Sequence, residues 1–189
     1  MKEKPRITDR VSASVRARRP TADTAGVRGH GVARIIGPDG TVKAEAPFTN
    51  LVTDTGDEVI AEALAGDSPD LVTGMRLGDD NTAPAKSGAG AAIVSYVSGS
   101  AQALDATYPQ TSDKGGGDGH RVTYRVTWDA GDATEDGIIE VVLTNAAISD
   151  VAGTAANTVA RALLSSAVNK GVDDSLEVTW HVDILGAAS

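Results

Sequence analysis

"DSLEVTWHVDIL", residues 174–185, decides how the chain is read. Leu176, Val178, Trp180, Val182 and Ile184 fall at every second position, and Glu177, Thr179, His181 and Asp183 fill the places between them. A period of two belongs to a β-strand, whose side chains alternate between faces with about 7 Å between successive members of one face. The apolar set is therefore expected to point inward and the polar set outward. That polar set also puts an acid, a base and metal-ligating side-chain types in one row, which raises the question of chemistry. A half-buried strand needs polar residues on its wet side in any case, and a row spaced this widely could hold a metal only with help from a neighbouring strand. The row is read as a solvated or partner-facing surface.

The same alternation recurs upstream. In "RVTYRVTW" (121–128) Val122, Tyr124, Val126 and Trp128 share one face, and Arg121, Thr123, Arg125 and Thr127 share the other. Trp128 and Trp180 each belong to an apolar alternating series and are expected to anchor the core. "GIIEVVLTN" (137–145) is apolar on both faces and is expected to lie centrally. "NTVARALLSSAV" (157–168) fits strand or helix by pattern and is read as a strand from its spacing between two strong strands. "LVTGMRL" (71–77), "AIVSYVS" (92–98) and "QALDATY" (102–108) read as further strands, separated by the breaker-rich "GDDNTAPAKSGAG" (78–90), and "SDKGGGDG" (112–119) as a flexible connection.

Nearer the start, residues 31–46 form a hairpin pattern. Val32, Arg34 and Ile36 alternate, "GPDG" supplies the turn, and Val42, Ala44 and Ala46 return. "NLVTDTGDEVIAEALAG" (50–66) then changes period to that of a helix, placed at about residues 55–65. Thr55 and Glu58 fit a capping box, Val59, Ile60, Ala63 and Leu64 make an apolar stripe, and Gly66 closes it. The expected architecture is mainly β: an antiparallel β-sandwich over residues 31–189 with one short flanking helix, preceded by an extended basic arm over residues 1–30.

Composition bounds the function. At 189 residues the chain suffices for one domain plus an arm, but aromatics make up only 3%, so Val, Ile and Leu must carry a thin core among many Ala and Gly. Such a core gains from neighbouring subunits, and a homo-oligomer is expected. With no cysteine, disulfides, thiolate zinc sites and cysteine nucleophiles are excluded. No apolar run has membrane-spanning length and the first thirty residues lack the apolar stretch of a secretion signal, so no membrane association is expected. The net charge of −9 is unevenly divided: residues 1–34 hold nine Lys/Arg against three Asp/Glu, a net of +6, which leaves about −15 for the remainder. The arm has the sign for nucleic acid but lacks interleaved aromatics, and the acidic body would repel phosphate. Docking of Arg6, Arg10, Arg16, Arg18 and Arg19 on an acidic protein surface is the better reading.

No catalytic, metal or cofactor site is expected. His30 and His120 have no partner at metal-ligand spacing, and "APAKSG" has the Lys-Ser of a phosphate loop without its glycines. Asp79, Asp80, Asn81 and Asp118 offer oxygen ligands, but without the alternating acids and closing glutamate of a calcium loop they read as turn formers.

Three stretches resemble a loose family of structural proteins from tailed bacteriophages. "NLVTDTGDEVIAEALAG" is similar to that family's Asn-Leu-Val-Thr entry into a short helix. "MRLGDDNTAPAKSG" is similar to its strand and Thr-Ala-Pro-Ala loop, with Gly78 to Asn81 departing from the more usual Gly-Thr-Gly-Thr. "VNKGVDDSLEVTWHVDIL" is similar to its closing Asn-Lys-Gly turn and Thr-Trp strand. The resemblance implies a β-sandwich carried on the virion, without catalytic residues. The expected role is a non-enzymatic capsid decoration (cement) protein, made in the bacterial cytoplasm and bound to the major capsid protein or other virion proteins. A minor tail, neck or fibre-base protein of the same fold is the alternative, and a carbohydrate-binding sandwich is the weaker third.

Overall fold

The computed structural model describes residues 26–115 and 118–185. Nine antiparallel strands occupy 48% of the described residues and form a single sheet curled into a half-barrel. In chain order these are β1 (Gly26–Ile36), β2 (Val42–Val52), β3 (Gly74–Gly78), β4 (Gln102–Ala103), β5 (Gln110–Asp113), β6 (His120–Trp128), β7 (Glu135–Thr144), β8 (Thr158–Lys170) and β9 (Ser175–Leu185), with one α-helix, α1 (Asp54–Ala65), after β2. Their order across the sheet is β4-β3-β7-β8-β2-β1-β9-β6-β5. The hydrogen-bonded ladder runs through all nine, in place of the two separate sheets expected of a sandwich. Alternation along a strand reports which residues face inward. It does not report whether the opposing wall belongs to another sheet or to the same one bent round.

The two ends of the sheet meet. Asp105, just past β4, donates its backbone N–H to Arg125 O in β6 (2.9 Å), and its carboxylate accepts from Arg125 Nε, Thr127 N and Thr127 Oγ1. Trp128 Nε1 donates to Ser100 O at 2.8 Å. The space so enclosed is filled from every side: Ile35 of β1, Phe48 of β2, Met75 and Leu77 of β3, Ile138 and Leu143 of β7, and Leu176 and Val178 of β9 are all buried. Trp128 and Trp180 are fully buried, and Phe48 meets Trp180 edge-on at 4.9 Å between ring centroids. With so few aromatics, these rings supply volume that the alanines around them cannot.

Several local expectations change. The hairpin forms, but Ala33 and Ile35 face the core while Val32, Arg34 and Ile36 lie on the half-exposed side, because Arg34 belongs with ion partners there. Ile184 is 51% exposed: it pairs with Val27 and His120 at the open end of the sheet, beyond the core. Residues 92–98 are irregular apart from one bridge between Tyr96 and Gly78, although Ile93 and Val97 are buried. Of residues 102–108 only Gln102–Ala103 is strand. Residues 158–168 fall within β8, with Asn157 in the turn before it, and residues 137–145 lie largely within the interior strand β7, in line with the sequence reading.

The helix is capped two residues earlier than expected. Thr53 Oγ1 accepts from Gly56 N and donates toward Thr158 O and Val159 O of β8, so one hydroxyl both starts α1 and fastens it to the sheet. A Cβ at Gly56 would lie 2.1 Å from Val159 O, and the missing side chain is what lets the helix approach that closely. Gly66, at φ 84°, closes the helix as expected. The apolar stripe packs only in part: Val59 touches the core, and Leu64 is 85% exposed.

The arm expected over residues 1–30 includes five residues of sheet, since Gly26–His30 pair with β9. Arg6, Arg10, Arg16, Arg18 and Arg19 lie outside the described residues.

Trp180→Ala or Trp128→Ala should destabilise the protein by about 3–5 kcal/mol in urea or guanidinium unfolding. His181→Ala, on the other face of β9, should cost much less. A larger loss for His181→Ala would mean that the two faces are exchanged.

Candidate functional site

The polar row of β9 lies between two strands whose registers determine its neighbours. On one side β6 places Thr127 opposite Glu177, Arg125 opposite Thr179, Thr123 opposite His181 and Arg121 opposite Asp183. On the other, β1 places Arg34 opposite Glu177, Val32 opposite Thr179, His30 opposite His181 and Arg28 opposite Asp183. The two carboxylates of the row are therefore flanked by Arg121 and Arg125 on one side and Arg28 and Arg34 on the other. Opposite charges directly across a ladder attract, and here they do so over three strands.

Asp183 is the centre of this face. It is 6% exposed, and it accepts from Arg121 Nε at 2.7 Å, Arg121 Nη2 at 3.1 Å and Lys114 Nζ at 2.9 Å. Hydrogen bonding from Arg121, aided by Lys114, holds its carboxyl well below the usual carboxylate range. At the other end of the row Glu177 lies 3.9 Å from both Arg34 and Arg125, each of which has a closer partner, Glu45 and Asp105 respectively, at 2.7 Å.

The two histidines are brought together by the β1–β9 register, with ring centroids 5.3 Å apart. His181 Nδ1 lies 3.0 Å from Thr123 Oγ1, and His30 Nδ1 lies 4.0 Å from Asp183. Burial, followed by repulsion from Arg121 and His30, pushes His181 below its ordinary value. Thr123, His181 and Asp183 thus stand as hydroxyl, base and acid, the membership of a nucleophilic triad. The arrangement does not do that work. Asp183 turns its oxygens to Arg121 and Lys114 and does not orient His181, which a triad requires of its acid. Among the described residues no three His, Cys, Asp or Glu side chains gather as a metal site. Asp80 spends its carboxylate on Thr82 N within its own turn.

A second polar centre escaped the sequence reading. Glu140 of β7 and Arg161 of β8 are fully buried and joined at 2.5 Å, with Arg161 also donating to Thr82 O and Gly90 O, and Val94 N donating to Glu140. The pair lies beneath residues 79–94 and pins that breaker-rich segment over the outer side of the sheet. Its only sequence signal is a charge inside each of two otherwise apolar runs, "GIIEVVL" and "TVARALL".

Comparison with family models, with curated proteins and with solved structures gives no match to this chain.

The shifts of the β9 row carry a sign. A carboxyl held low in the folded state stabilises the fold above its unfolded value of 3.8, and that stability is lost progressively as pH falls from this value to the lower folded one. Asp183→Asn should therefore lower unfolding free energy by about 1–3 kcal/mol at pH 7. The gap to the parent should close as pH drops below about 4. Denaturant titrations of both proteins across that range would contradict the account if the gap were absent at neutral pH or widened in acid. His181, also held low, removes stability as pH falls through 6.5, where the unfolded chain takes up its proton first.

Proposed function

We propose that the chain is a non-enzymatic structural protein of a tailed-bacteriophage virion, and specifically a capsid decoration protein that ties capsomers together through its N-terminal segment. One observation carries this reading. Residues 1–25 hold seven Lys/Arg against three Asp/Glu, a net of +4, which leaves −13 on the rest of the chain. A cationic segment joined to an anionic body attracts acidic shell proteins and other copies of the chain over long range. Repeated around a symmetric shell, modest single contacts become sufficient through multivalency.

The ionisable groups of the β1–β9–β6 face support the same reading, because they are largely engaged with one another as cross-strand ties. The three stretches that resemble virion proteins contain the Thr53 cap, the loop held by Arg161 and the core strand β9, which are fold-determining features. The facing halves of the curled sheet are taken as this chain's form of the sandwich that the resemblance implies. A carbohydrate-binding role finds little support: Phe48, Tyr96, Tyr108, Tyr124, Trp128 and Trp180 are all buried or half-buried, which leaves no aromatic shelf for a sugar. No helix among the described residues is long and apolar enough to cross a membrane.

Antibody labelling of virions in the electron microscope should place this chain over the capsid. Label at the neck or tail would move it to a tail or fibre-base role, and purified virions free of the chain would overturn the structural reading. Full-length protein with Arg6, Arg10, Arg16, Arg18 and Arg19 changed to Glu should bind depleted particles at least about tenfold more weakly at low salt, with the difference shrinking as salt rises. Equal binding at every salt concentration would show that the segment does not make the attachment. Any deletion variant must begin at Gly26, since a start near Val32 would remove paired residues of β1.

A further inference from the structure

β1 and β2 part company at one end. Their pairing stops at His30 opposite Thr49, after which β2 continues along β8 through Val52 while Gly26–Gly29 remain paired only with β9. The facing backbone edges of Gly26–Gly29 and Leu51–Val52 are thus not joined in a ladder. α1 lies beside the gap, and the result is a groove of about 830 Å³ whose wall is apolar at Val27, Leu51, Ile60 and Leu64 and charged at Arg28, Asp57 and Lys86. Leu64, at 85% exposure, and Val27, at 38%, stand uncovered by the described residues, with Leu71 nearby in sequence at 64%. An apolar trough between two unpaired strand edges is suited to an extended chain, which would supply both backbone partners and side chains.

We infer that the occupant is the chain's own N-terminal segment, residues 1–25, seated in this groove in the same molecule. The segment joins the body at Gly26, which is where the groove begins, so the two are held at high effective concentration without any assembly. Its last residues, "PTADTA" (20–25), are turn formers that allow the chain to reverse. The stretch before them carries Ile7, Val11 and Val15 at every fourth position, apolar groups for the trough, among Arg6, Arg10, Arg16, Arg18 and Arg19. The cations have a counterpart. α1 carries Asp54, Asp57, Glu58 and Glu62 and no basic residue in its last turn, and only Asp57 is paired, with Lys86, among the described residues. Of these acids only Asp57 lines the groove, where Arg28 and Lys86 stand as well, so the partners offered to the segment's cations are Asp54, Glu58 and Glu62 on α1 outside the groove lining. This seat is independent of the virion reading. If both hold, the segment must leave the groove to reach the shell, and the free protein keeps its attachment element stowed.

The absence of cysteine makes the test direct. In the full-length protein a nitroxide is placed on Leu64→Cys, within the groove and too exposed to endanger folding, or on Val172→Cys, 61% exposed in the β8–β9 turn at the far end of β9. Amide signals of residues 7–19 should lose more than about half their NMR intensity with the Leu64 label and little with the Val172 label, and the loss should persist on dilution. No loss, or equal loss from both labels, would overturn the inference. Loss of the same extent when isotope-labelled, spin-free protein is mixed with spin-labelled, isotope-free protein would place the segment on a second copy and would also overturn it. Adding Ile60→Asp to the Leu64 variant should restore the signals, and persistence of the broadening would argue against seating on the apolar wall.

Discussion

A single antiparallel sheet with one apolar face has to bury that face, and this chain does so by bringing its two ends together. Asp105 makes the join. Its carboxylate and backbone N–H take four bonds to Arg125 and Thr127 of β6, and Trp128 adds its indole N–H to Ser100 O from the next position inward. Arg125 also lies over the Tyr108 ring at 4.8 Å, so the segment after β4 is gripped from both sides. Everything enclosed depends on this closure. The core is built largely of Ala, Val, Ile and Leu, and the curled wall lets Trp128 and Trp180 fill space that these small side chains leave.

Once the sheet is closed, several of its buried polar groups act as fasteners. Glu140 and Arg161 would cost dearly if buried alone. As a pair that also takes up Thr82 O, Gly90 O and Val94 N, they hold the 79–94 segment in one place. Asp183 does the same for Lys114 and Arg121 on the opposite flank. Arg76, also buried, is held by Thr144 Oγ1 and Ala147 O. These ties fasten the sheet on both of its flanks. A groove opens at one end of the sheet, where α1, the parted strands and the start of β1 meet, and the proposed reading places attachment there.

Much of this was legible in the sequence where local pattern suffices. The alternation in β6 and β9 gave both tryptophans as core, the apolar run of β7 gave an interior strand, and Gly66 marked the end of α1. The misses come from long-range contacts. Thr53 outcompetes Thr55 as helix cap because its hydroxyl also reaches Thr158 O and Val159 O, more than a hundred residues away. Ile184 has the right parity for the core but runs past its end. His30 and His181 become neighbours only through strand register, and the row first met as separate Glu, Thr, His and Asp residues acquires its meaning from Arg121, Arg125 and Arg34 across the ladder. The join that brings the sheet's ends together lies at Asp105, in a stretch whose alternation is too short to show it.

Hydrogen exchange on Asp105→Ala tests the closure most directly. If the Asp105 tie holds the half-barrel shut, the variant should lose amide protection together in β3, β4, β5 and β6, which lie toward the two joined ends, while β1, β2, β8 and β9 at the middle of the sheet keep theirs. Loss confined to residues beside position 105, with β3 and β6 as protected as in the parent, would show that the sheet holds its curl without the tie.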